Sequence, residues 1–135
     1  SPAMQEEFLL AYQIPCFAQF GAVQYGCCED LTQKIDAVRR IPNLRIFVCS
    51  YWTRLDKLLA ACGTSYTYMW RQLSAHVMVP DDLDAYREEF ERGLRLLRGH
   101  SYQVVLREVE SLHGHRDRLK EWADLAVRAV GRIGH

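Results

Sequence analysis

Four short runs of apolar and aromatic residues, each followed by a longer amphipathic stretch, constrain the fold more than any other feature of this chain. The runs are "AVQYGCC" (22–28), "LRIFVCS" (44–50), "SYTYMW" (65–70) and "YQVVLREV" (102–109). Near-continuous apolar character is what a parallel strand covered on both faces requires. The stretches between them repeat at helical spacing. Asp30 is placed to cap "LTQKIDAVRRI" (31–41), whose Leu31, Ile35, Val38 and Ile41 share one stripe, and the following "PN" ends it. Thr53 is placed to cap "RLDKLLAAC" (54–62), which stops at Gly63. After Pro80, Asp81 or Asp82 opens a helix with Leu83, Tyr86, Phe90, Leu94 and Leu97 inward, closed by Gly99. The last helix, 116–133, turns Leu119, Trp122, Leu125, Ala126, Ala129, Val130 and Ile133 inward. An opening helix from about Met4 to Phe20 is expected to break or kink at Pro15.

The order is one helix and then four βα units, which predicts an α/β fold with a parallel sheet and right-handed crossovers. Two architectures fit: the C-terminal half of a TIM-type (β/α)8 barrel, or an open doubly wound sheet of flavodoxin type. No glycine-rich phosphate loop follows the first strand, so nucleotide binding has no motif behind it. With 135 residues a single domain is expected. Its 17 basic and 17 acidic side chains cancel, which removes the electrostatic signature of a nucleic-acid or anionic-membrane partner. No apolar run approaches the roughly 20 residues of a bilayer span, and the start carries acids where a signal peptide carries basic residues. A cytoplasmic location is therefore expected. Five cysteines, an odd number without a secretion signal, point to free thiols or thiolate ligands rather than a disulfide framework.

In parallel βα architectures the functional rim lies at the C-terminal ends of the strands. Those ends offer Cys27, Cys28 and Glu29; Ser50, Tyr51 and Trp52; Arg71, Gln72 and Ser74; and Glu108, Glu110, Ser111 and His113. A thiolate is both a nucleophile and a soft metal ligand, and a carboxylate beside it completes a metal shell or moves a proton. The other reading is packing, because neighbours on a strand point to opposite faces and only one of Cys27 and Cys28 would enter a site. Tyr51 and Trp52 would wall a substrate ring or cap the sheet. Arg71 would clamp a carboxylate in bidentate fashion or pair with Glu108 or Glu110. His113 and His115 read as a solvated turn more simply than as a metal pair, and His76, His100 and His135 stand apart.

The run "YGCCEDLTQKIDAVRRIPNLRIFVCSYW" (25–52), followed by "YTYMWRQLSA" and "VVLREV", resembles the C-terminal half of uroporphyrinogen decarboxylase-like proteins, the superfamily that includes cobalamin-dependent methyltransferases. The resemblance implies the last four βα units of a βα barrel enzyme, with decarboxylase or corrinoid/thiol methyltransferase-type activity at the rim. It places Tyr25 and Cys27 where the methyltransferases carry a histidine-x-cysteine zinc pair. A different metal set is Cys27, Cys28 and Glu29. The rim read in this way has Cys27 and Glu29 as catalytic groups, and Tyr25, Tyr51, Trp52, Arg71 and Glu108 around a small-molecule substrate. Zinc is the implied metal and a corrinoid the implied substrate. The alternative is a non-catalytic ligand-binding or assembly module. Four parallel strands leave open edges, so the expected partner is either an N-terminal half of the barrel or a second copy of the chain.

Overall fold

The computed structural model describes residues 1–133; His135 lies outside them. Helices and strands alternate as α1 (Pro2–Gln5), a π turn (Glu6–Leu10), α2 (Ala11–Phe17), β1 (Val23–Tyr25), α3 (Ile35–Val38), β2 (Leu44–Cys49), α4 (Leu55–Cys62), β3 (Thr67–Leu73), α5 (Ala75–Met78), α6 (Asp84–Leu97), β4 (Ser101–Arg107) and α7 (Arg118–Ile133). The four strands form one parallel sheet in the order β1-β2-β3-β4. A doubly wound sheet reverses direction at a switch point. This order does not reverse, so no such switch point lies among the described strands.

Crossovers of one hand that always advance in one direction put every helix on the same face of the sheet, and the packing shows it. Tyr25, Phe47, Tyr68 and Tyr102 lie in register across the four strands. This side of the sheet packs on the helices. Tyr25, Phe47, Cys49 and Tyr68 join Leu10, Leu31, Ile35, Val38, Leu55 and Leu58, while Trp70, Tyr102, Val104 and Leu106 pack on Val77, Tyr86, Phe90, Leu94, Leu125 and Ala129. Trp70 and Tyr102 touch both groups, so the core is continuous. Trp70 stacks on Phe90 with centroids 5.3 Å apart and lies directly against Gly93 of α6, where any Cβ would come within 2.1 Å of the indole.

The intervening residues face the other way. Ile46, Met69, Leu73 and Val105 project from the helix-free face and are only half-buried. None of them belongs to either part of the core.

Several local expectations change. The chain is helical through Pro15, and the irregularity is the π turn one turn earlier. Residues 32–34 form a turn, leaving α3 as four residues, and Asp30 accepts from the Thr32 N–H instead of capping a long helix. Thr53 does not cap α4; its hydroxyl accepts from the Leu31 N–H and so ties two loops together. No helix among the described residues is long and apolar enough to cross a membrane.

Candidate functional site

β1 ends at Tyr25, three residues earlier than the apolar run implies, and this places both cysteines outside the pleat. Gly26 makes the turn. Its φ of 120° is a conformation L side chains rarely adopt, and an added Cβ would strike the Val48 carbonyl at 2.6 Å. The loop therefore lies over the end of β2, where it buries Val48. Ser50 and Thr53 hold it there: the Ser50 hydroxyl donates to the Glu29 carbonyl at 2.7 Å, and the Thr53 hydroxyl accepts from the Leu31 N–H at 3.0 Å.

Freed from strand alternation, the Cys27 and Cys28 side chains point the same way, with sulfurs 3.4 Å apart. This overturns the expectation that only one of them enters the site. Cys28 Sγ lies 3.1 Å from Oε1 of Glu108, which follows the opposite edge strand, so the loop spans the ends of β2 and β3. Arg71 extends from β3 on the helix-free face, with Nη1 at 3.6 Å from Cys28 Sγ and 3.9 Å from Cys27 Sγ. Its Nη2 is 3.8 Å from Glu108 Oε1.

Glu108 reaches this position through backbone strain. Arg107 sits opposite Leu73 and so faces the helix-free side; continued alternation would turn residue 108 toward the helices. Instead Glu108 takes φ 49°, and its carbonyl is held by the Ser74 hydroxyl at 2.7 Å. Its carboxylate comes back onto the rim beside Arg107, whose Nε donates at 2.9 Å. A positive φ on a residue with a side chain is a feature that clusters at functional sites. The Arg107 side chain is 11% exposed, and its Nη1 is buried with no protein partner.

The charges set the protonation states. The Cys28 hydrogen bond, followed by Arg71, draws the Cys27 thiol below its ordinary value. Glu108 and Cys27 push Cys28 up, since an adjacent negative charge favours the neutral thiol. Arg107, then Cys28, holds the Glu108 carboxyl below the usual range. The site thus presents a thiolate-prone sulfur, a protonated sulfur, a carboxylate and two guanidiniums at one end of the sheet. Beside it a depression of about 220 Å³ is lined by Ser74, Met78, Val79, Glu108, Glu110 and His113.

Of the residues read from the sequence as site groups, Cys27, Cys28, Arg71 and Glu108 come together. The others do not. Glu29 turns its carboxylate to Lys34 and to Gln5 Nε2 at 3.4 Å. Tyr25 is buried in the core, where its hydroxyl accepts from Gln5 and its ring meets Phe17 edge-on. Tyr51 packs edge-on against His76 of α5 and lines the gap between α4 and α6, and Trp52 beside it is 57% exposed.

The implied zinc does not fit. The set Cys27, Cys28 and Glu29 fails at Glu29, and the pair Tyr25 and Cys27 fails at a buried phenol. No three His, Cys, Asp or Glu side chains among the described residues are placed to hold a metal ion. Where a dication would approach the sulfurs, Arg71 already supplies the positive charge.

Arg107 is the member that sequence reading missed. It lies inside an apolar run, and only the register, which aligns it with Leu73 two places beyond Arg71, puts it on the same face. No family model, curated protein or solved structure matches the chain.

Proposed function

We propose that this chain supplies four βα units of a barrel-type enzyme of the uroporphyrinogen decarboxylase-like kind, and that its rim holds a small carboxylated substrate. One observation carries the reading: Arg71, Arg107, Cys27, Cys28 and Glu108 converge over the C-terminal strand ends on the face that has no helices. A strand order without reversal and a half-buried apolar face are what part of a closed barrel would have. Arg71 would grip a substrate carboxylate, displacing Glu108 from its weaker 3.8 Å contact, with the Cys27 sulfur beside it for proton or group transfer. Decarboxylation and corrinoid- or thiol-directed methyl transfer are the two reaction classes the resemblance brings to this site.

The test is equilibrium binding of a panel of mono-, di- and tricarboxylic acids, with methylcobalamin as a separate arm. A saturable carboxylate signal that weakens at least about tenfold in Arg71→Ala is expected, the loss of one charge-assisted hydrogen bond being worth about that much. Carboxylate binding that is absent, or indifferent to Arg71, overturns the assignment. The barrel part is tested by sedimentation: a dimer or a complex with further βα units is expected, and a well-folded monomer at all concentrations argues for an independent open sheet.

A second reading follows from the same contacts. Glu108 already pairs with both guanidiniums and Lys34 already holds Glu29, which suits a ligand-binding or assembly module without chemistry. Saturable binding without turnover of a methyl donor or loss of carbon dioxide would favour it.

A further inference from the structure

Of the five cysteines, Cys49 and Cys62 are buried and Cys16 sits on α2 without a sulfur neighbour. Cys27 and Cys28 differ from all of them, being accessible and already in contact at 3.4 Å. We propose that these two residues form a reversible dithiol/disulfide pair, oxidised by hydroperoxides and returned by low-molecular-weight thiols. The pairing stands on the sulfur geometry and holds whatever substrate the rim takes.

The surrounding groups supply each step. Arg71 Nη1 lies near both sulfurs and supports a thiolate between them, and the Glu108 carboxylate 3.1 Å from Cys28 Sγ keeps the proton on Cys28, which leaves Cys27 as the attacking group. That thiolate attacks the terminal peroxide oxygen. The O–O bond breaks, the departing alkoxide takes a proton from water, and Cys27 becomes a sulfenic acid. Cys28 then passes its proton to the Glu108 carboxylate, 3.1 Å away, and attacks the Cys27 sulfur. The S–O bond breaks and hydroxide leaves, collecting the proton from Glu108 as water. In sum, two thiols and one hydroperoxide give one disulfide, one alcohol and one water, with two electrons passing from sulfur to peroxide.

The product is the labile kind of disulfide. Adjacent Cα atoms stand about 3.8 Å apart, below the range of about 4.4–6.8 Å in which disulfides are relaxed. Strained and exposed disulfides are the readily reduced ones, so the pair switches rather than locks.

The experiment treats the reduced chain with one equivalent of hydrogen peroxide and reads intact mass, free thiols and peptide linkage. The expected result is a loss of two hydrogens per chain, a Cys27–Cys28 link in a single peptide and full recovery with dithiothreitol. Cys28→Ser is expected to stop at a Cys27 sulfenic acid that dimedone traps. Cys27→Ser is expected to slow peroxide consumption at least about tenfold, since the thiolate is the nucleophile. A link from Cys27 to Cys16 or to another chain overturns the proposal, as does oxidation that proceeds equally in Cys27→Ser. Should either variant fail to fold by circular dichroism, the linkage map of the parent chain decides alone.

Discussion

The two faces of the sheet are built from the same four strands by alternate residues, yet they follow opposite rules. Toward the helices stand Phe47, Cys49, Tyr68, Trp70 and Tyr102, in a core without charge on the strands. Toward the open side stand Ile46, Met69, Arg71, Leu73, Val105 and Arg107, half-buried and ending in charge at the strand C-termini. The cysteines make the contrast sharp. Burial pushes the Cys49 thiol up to about 12, while Cys28 and Arg71 draw Cys27 down. One residue type is held neutral on one face and drawn toward the thiolate at the end of the other, because solvent and neighbouring charge, not the thiol itself, set its ionisation.

The comparison breaks most readily in the core. Phe90→Ala removes a fully buried ring stacked on Trp70 and Tyr86 and is expected to cost about 4 kcal/mol by urea unfolding. Met69→Ala on the open face is expected to cost about 1 kcal/mol or less, since the side chain is only half removed from water. Equal losses at the two positions would mean that something covers the open face. Gly93→Ala drives a Cβ into Trp70 and is expected to cost about 2 kcal/mol, overpacking outweighing the better helix propensity of alanine.

Alkaline pH sharpens the contrast between the thiols. The folded pKa of Cys49 is raised from its ordinary 9.0 to about 12, so folding binds a proton that the unfolded chain has lost. Its contribution is intact below 9.0 and declines as pH climbs from there toward 12, by up to about 1.4 kcal/mol per pH unit. Unfolding midpoints followed upward from neutral pH should fall accordingly, and Cys49→Ala should flatten the slope. Cys27 behaves in reverse at the level of reactivity: Arg71→Ala is expected to move its alkylation profile to higher pH. The smallest effect is expected at Trp52, where an exposed ring makes Trp52→Ala nearly neutral, within about 0.5 kcal/mol.

Much of the fold was legible because periodicity carries it. The four apolar runs are the four strands, and the stripes through Phe90 and Leu125 are the inward faces of α6 and α7, except that Leu119, expected inward, is exposed in the first turn of α7. Strand ends were less legible. "AVQYGCC" is apolar throughout, but β1 stops at Tyr25 because Gly26 turns the chain over Val48, and no property of Cys27 or Cys28 announces that turn. The "YMWRQL" segment ran the other way, β3 continuing to Leu73 through its pairing with β4. Thr53 read as a cap because its position before a helix fits one; its hydroxyl went instead to Leu31, a partner 22 residues away.

The sequence by itself determined the number and order of the βα units, the apolar stripes of the long helices and the charge balance, since each depends on local spacing and composition. Tertiary structure decided which chemistry meets. Cys28 and Glu108 stand 80 residues apart in the chain and 3.1 Å apart in space. Their meeting rests on a glycine turn, a left-handed Glu108 and a sheet register that puts Arg71 and Arg107 on one face. Tyr25 and Glu29, equally suited to chemistry by type, went to the core and to Lys34. Residue type limits what a side chain can do, and only the path of the backbone selects the neighbours with which it does it.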